Sequence, residues 1–233
     1  LIKFIIGFER AEGLTRQECQ QYLADAHGKL VASVPEFRRH VLRYVQNFAI
    51  ETPAIECAGF DADGAAELWF DNMATFLTAF GEPRYLELIR PDELRFAHPH
   101  RLIVAFTQEH TVFATACAKN LKLFRFLTPA QGISPSAFRS AWREHYAERL
   151  ATDATVASVV TRYVQNWSVP ANSNPFPLAR PFAGIDQFCF CNEAGLHRFV
   201  EAERELLTRS GAAALVDGPA CIAFAATDKV VLQ

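Results

Sequence analysis

Short runs of apolar, β-branched and aromatic residues alternate along this chain with longer stretches in which apolar positions recur every three or four residues. Residues 3–8 are the first such run and predict a strand ending at Glu9-Arg10. Thr15 followed by Glu18 is a capping-box signature. Cys19, Leu23, Ala26, Leu30 and Val34 then line one face of a helix that should stop at Pro35. A second strand is predicted over residues 41–50, a loop over 52–63 and a third strand over 65–70. Asp71 is read as the cap of a second helix reaching residue 80. Residues 81–98, punctuated by Pro83 and Pro91, form an irregular or partly helical insertion before a strand at 102–107, continued at 111–113. The order β-α-β-β-α-β is the ferredoxin-like arrangement, an antiparallel sheet with helices on one face.

The pattern then runs a second time. A strand over 121–127 precedes a Ser134-capped helix carrying Phe138, Trp142, Tyr146 and Leu150. Residues 156–167 and 184–190 predict strands around a loop at 169–181, and a helix over 194–207 leads to closing strands at 221–225 and 230–232. Arg43-Tyr44-Val45-Gln46-Asn47 recurs letter for letter as Arg162-Tyr163-Val164-Gln165-Asn166, 119 positions later. Gly13-Leu14-Thr15 falls on Gly132-Ile133-Ser134 at the same offset. Such self-similarity predicts two tandem units, residues 1–116 and 117–233. One sheet with helices on a single face leaves its other apolar face bare, and two units in one chain can cover each other.

In the repeated strand, period-two geometry sends Arg43, Val45 and Asn47 to one face and Tyr44, Gln46 and Phe48 to the other. These strands are expected to be central, so Asn47, Asn166, Gln46 and Gln165 need buried partners. They either knit the two sheets together, the favoured reading, or orient a substrate.

Composition narrows the function classes. Half the residues are hydrophobic and the net charge is −3, which suits a globular core and supplies no basic field for nucleic acid. No apolar run approaches the roughly 20 residues that span a bilayer, and Leu1-Ile2-Lys3-Phe4 reads as a strand without the charged n-region and cleavage site of a signal peptide. The six cysteines do not occupy matching places in the two units, so they read as reduced thiols of a cytoplasmic protein. Twenty phenylalanines fill a core or line a pocket for a flat, apolar ligand. His98-Pro99-His100 and Cys189-x-Cys191 lack companion ligands at recognisable spacing, so neither metal nor cofactor is expected.

Phe4-Ile5-Ile6-Gly7-Phe8, Tyr22-Leu23 with His27, the Arg43–Asn47 stretch, Gly64-Ala65-Ala66-Glu67-Leu68-Trp69-Phe70 and Glu109-His110 together resemble the EthD-like family of the dimeric α/β-barrel superfamily. The resemblance covers most of residues 1–113 and, more faintly, 119–233. It implies an α+β fold in which two ferredoxin-like units face each other as a barrel. That barrel is normally a homodimer; here it would be an intramolecular pseudo-dimer, with further homodimerisation open. It also implies cofactor-free lyase, dehydratase, decarboxylase or cyclase chemistry on aromatic or polyketide-like substrates.

In that family an aromatic-aromatic-x-x-x-His helix pattern points a His into the cavity between helices and sheet, and His27 matches it. His27 is thus the expected general acid or base; read without the resemblance it is a half-buried helix His on a carbonyl. Tyr146 takes the equivalent place in the second unit, as a proton donor or as plain core. His145 sits one residue early, which turns a helical side chain by about 100°. Tyr22, Asn47, Trp69, Trp142, His145 and Asn166 complete the expected substrate contacts, with Trp69 offering a stacking face that Cys189 lacks in the second unit. The function expected is a cofactor-independent lyase-type enzyme acting on an aromatic or hydrophobic intermediate. The alternative is a non-catalytic carrier of such a molecule.

Overall fold

Alternation along the apolar runs produces eight strands: β1 (Ile2–Arg10), β2 (Arg43–Ile50), β3 (Gly64–Phe70), β4 (Ala97–Ala114), β5 (Leu121–Leu127), β6 (Val160–Ser168), β7 (Gly184–Phe190) and β8 (Ile222–Leu232). The computed structural model describes residues 1–52, 60–115, 121–169 and 182–233. The expected loops at 52–63 and 169–181 and the expected boundary at 116/117 fall wholly or partly outside those residues.

The strands close into one antiparallel barrel in the order β1-β3-β2-β8-β5-β7-β6-β4. Each half has the ferredoxin-like order, and the long fourth strands join the halves. Residues 102–107 of β4 pair with β1, while 107–114 of the same strand pair with β6. Likewise 222–227 of β8 pair with β5, and 225–232 with β2. A single continuous strand therefore replaces each pair of short strands expected at the ends of the two units. The repeated stretch lies on β2 and β6, the outer strand of each four-stranded sheet rather than a central one. Those strands form the seams of the barrel.

The helices cover the outside. In the first half α1 (Arg16–Tyr22), a π-helical turn (Leu23–His27) and α2 (Gly28–Ser33) form one continuous rod. Thr15 caps it with the reciprocal Glu18 bond of a capping box. Gly13 precedes it at φ +86°, and Gly132 repeats that left-handed turn in the second half at the same angle. Pro35 does not merely end the rod; it opens the short α3 (Pro35–Arg38). The second helix, α4 (Met73–Gly81), is capped by Asn72 rather than Asp71, because the Asn72 side chain accepts from the Thr75 amide. The 81–98 stretch, expected to be irregular or partly helical, contains a π turn (Tyr85–Ile89) and α5 (Arg90–Glu93).

The second half repeats the rod as α6 (Pro135–Trp142), a π turn (Arg143–Ala147) and α7 (Glu148–Thr152). Residues 154–159, partly assigned to strand, are helical (α8, Ala154–Val159), because Asp153 caps them through two backbone amides. The last helix is α9 (Glu193–Ser210).

One further expectation changes. Cys191 lies beyond the end of β7 and is disulfide-bonded, so the six cysteines are not all reduced thiols; Cys19 and Cys189 are buried free thiols. Among the described residues no helix is long and apolar enough to cross a membrane.

The barrel interior is apolar at one end, around Ile5, Ala65, Phe124, Phe126, Ile185 and Phe224. Toward the other end it carries buried Lys3, Glu67 and Lys122. Outside the barrel, apolar clusters lie between each half's sheet and its helices, and in the first half a smaller one is built by Phe8, Cys19, Leu23 and Phe96.

Candidate active site

Between the first-half sheet and its helices the packing is incomplete. A cleft of about 790 Å³, counted with its mouth, opens there. Phe4, Phe8, Leu23, Val31, Phe37 and Phe96 wall it, with His27, Tyr44, Tyr85, Arg90, Glu93 and His98 as the polar groups.

His27 ends the π turn of the first rod and is 6% exposed. Its Nδ1 stands 2.9 Å from Asp92 Oδ2, and Tyr22 donates its hydroxyl to Asp92 Oδ1 at 2.5 Å. Burial would raise the Asp92 carboxyl, but the hydrogen bonds from His27 and Tyr22 outweigh it and hold that group below its ordinary value. An ionised carboxylate only accepts, so Nδ1 of His27 carries a proton, and in the neutral ring Nε2 presents the lone pair. Nε2 has no hydrogen-bond partner among the described residues, and the ring packs 4.8 Å from Phe96. The arrangement is a base with its tautomer fixed from behind.

The wider turn that places His27 has its own support. Gly28 N–H bonds Leu23 O, the i→i+5 contact of a π helix, and Gln46 on β2 donates to the same carbonyl at 2.7 Å. A Cβ at Gly28 would stand 2.9 Å from Gln46 Nε2, so glycine permits the rod to approach the strand this closely. Gln46 also donates to the Tyr44 hydroxyl at 3.2 Å. That leaves the Tyr44 proton without an acceptor among the described residues, beside the cleft. Burial raises the Tyr44 phenol well above its usual value, so it stays protonated.

The equivalent space of the second half is filled. Tyr146, at the place of His27, is fully buried and stacks on Trp142 with centroids 4.3 Å apart. Its hydroxyl donates to Glu203, which is also paired with Arg125. Trp142 donates to Asp186 at 2.8 Å, and Tyr163 donates to the other oxygen of that carboxylate at 3.0 Å. Burial pushes Asp186 up to about 7 against the effect of those two bonds.

The remaining expected contacts do not converge on the cleft. Tyr22 reaches it indirectly, through Asp92 and through its ring contact with Phe96. Asn47 and Trp69 face the inside of the barrel, where Asn47 bonds Lys122 and Glu67, and the Trp69 indole donates to Glu109 at 3.3 Å. Asn166 donates to Ile185 O at 3.1 Å, and His145 is half-exposed on the second π turn. Asp92, Tyr44 and the role of Gln46 were not expected. Among the described residues no group of three or more His, Cys, Asp or Glu is arranged to hold a metal.

This geometry, an eight-stranded antiparallel barrel with helices outside it and a cleft beneath one helical layer, is a dimeric α/β-barrel fold contained within one chain. The EthD domain model matches residues 11–100, within the first half of the chain. No curated protein matches the sequence. Among solved structures an anthrone oxidase-like protein superposes with a TM-score of 0.67 at 11% identity, covering 100% of this chain and 94% of that one. A chlorite dismutase variant from Candidatus Nitrospira defluvii reaches 0.55 at 10% identity, covering 97% and 91%. At these identities the likeness is one of fold.

Proposed function

We propose that this chain is a cofactor-independent, lyase-type enzyme working in the first-half cleft on an aromatic or otherwise hydrophobic carbonyl compound. The observation that carries the reading is His27, with Nδ1 held by Asp92 and Nε2 free in an apolar cleft. Nε2 takes a proton from the carbon next to the substrate carbonyl. The C–H electron pair moves toward the carbonyl, and the Tyr44 hydroxyl donates a hydrogen bond to the oxygen as charge develops there. The pair then forms a C=C bond as a leaving group departs from the adjacent carbon, and the imidazolium returns its proton to that group. Asp92 stabilises the imidazolium while it exists. The step needs a placed base and a donor, both of which the chain supplies.

The test is deuterium exchange at the activated carbon of enolisable aromatic ketones in D₂O, followed by NMR. Acceleration by the native chain that is lost in His27→Ala and reduced in Tyr44→Phe supports the enzyme. Binding of the same ketones without acceleration supports the carrier.

A further inference from the structure

We propose that the polar end of the barrel is a second ligand site, distinct from the cleft, that binds a small organic monocarboxylate. A cavity opens there, lined by Lys3, Arg43, Glu67, Trp69, Lys122 and Arg162 among others. Its residues come in matched pairs from the two halves: Lys3 with Lys122, Arg43 with Arg162, and Glu109 with Asp228, each 119 positions apart.

The lysines are internally satisfied. Lys3 contacts Glu67 at 2.6 Å, Glu109 at 3.1 Å and Gln187 at 2.9 Å. Lys122 contacts Glu67 at 2.8 Å, Asp228 at 2.9 Å and Asn47 at 3.1 Å. Each ammonium thus has three acceptors for three donors. Burial opposes ionisation of Glu67, but the two lysines overcome it and hold its carboxyl far below the ordinary range.

One pair is broken. Where the first half has Glu67, the second has the neutral Gln187. Four cations (Lys3, Lys122, Arg43, Arg162) therefore face three carboxylates (Glu67, Glu109, Asp228). Arg162 is matched to Glu109 at 2.8 Å. Arg43 has no ion-pair or hydrogen-bond partner among the described residues; its guanidinium lies 5.1 Å from the centroid of Trp69, and its Nε is buried and unbonded. A half-buried guanidinium without a counter-ion is electrostatically incomplete.

The same features set the ligand class. A guanidinium fork matches a carboxylate. The excess of one positive charge suits a monoanion, and three nearby carboxylates oppose a dianion. Trp69 offers an apolar face beside Arg43 for the body of the ligand.

Calorimetric titration of the native chain with propionate, benzoate and inorganic phosphate tests this. Saturable binding of a carboxylate is expected, weakened at least tenfold in Arg43→Gln, less in Arg43→Lys, and unchanged in His27→Ala. Near-UV circular dichroism checks that each variant is folded, and Arg43→Lys carries the comparison if Arg43→Gln is not. Absence of saturable carboxylate binding, equal binding by folded Arg43 variants, or tighter binding of phosphate would overturn the proposal. Loss in His27→Ala with Arg43→Gln unaffected would move the site to the cleft and overturn it too.

Discussion

The two helix-covered spaces of this molecule are built on the same plan and filled in opposite ways. In the first half a rod with a π turn carries Leu23 and His27 over a cleft. In the second, the corresponding rod carries Trp142 and Tyr146, and their rings occupy the space. The acid partner moves as well: Asp92 comes from the short α5, Glu203 from the long α9. A free imidazole nitrogen facing an apolar cleft can move a proton, whereas a phenol locked to a buried carboxylate and stacked on an indole holds the core together. Shared geometry builds the barrel, and the proposed chemistry rests on the difference between the halves.

The sharpest way to break this comparison is to exchange effects between the halves. His27→Ala should lower turnover of a reactive ketone by about 10²–10⁴-fold, the usual contribution of general acid–base catalysis. Tyr146→Phe should leave turnover within about threefold, because its hydroxyl serves Glu203; a comparable loss there would erase the distinction. Trp142→Ala should instead lower stability by about 3–5 kcal/mol, since it empties a packed site. Chemical denaturation checks this, and a near-neutral result would mean that the second space is open.

Smaller effects separate the carboxylates by pH. Burial raises Asp186 to about 7 in the folded chain, so the native state keeps a proton that the unfolded chain releases near pH 4. Its stabilisation is complete below about pH 4, declines as the pH rises and is gone above about 7. Asp186→Asn should therefore flatten the fall of Tm between pH 5 and 8. Asp92 behaves oppositely: its folded value is depressed, so its contribution is present above the unfolded value near 4 and is lost as the solution becomes more acid. Asp92→Asn should flatten the acid limb of the stability curve, while a parallel shift of the whole curve would contradict the assignment. The smallest expected effect is that of Tyr22→Phe, a few-fold loss of turnover, because Asp92 keeps its bond to His27.

Much of the architecture was legible in the residue pattern. The repeated stretch located both seams, and the matched Gly13 and Gly132, with caps at Thr15 and Ser134, fixed the entry to each rod. Its place in the sheet was misread because a polar strand at a seam and one at a sheet centre share the same alternation. The continuous β4 was hidden for a related reason: residues 108–110 are polar, and only the pairing with β6 explains why they remain extended. At the site, His27 stood out by resemblance. Asp92 did not, since it lies 65 residues away in a proline-punctuated stretch with no periodic signal. Gln46 was visible as a buried amide, but its partner, a π-turn carbonyl, has no sequence signature. Lys3 and Lys122, near strand ends, carry no sequence signal of burial, and it is the closed barrel that encloses them.

The most direct measurement is NMR-detected deuterium exchange on one enolisable aromatic ketone with three proteins: the native chain, His27→Ala and Tyr146→Phe. The account predicts exchange accelerated by the native chain and by Tyr146→Phe, and reduced to the solvent rate in His27→Ala. Equal acceleration by His27→Ala and the native chain, or loss confined to Tyr146→Phe, would contradict it.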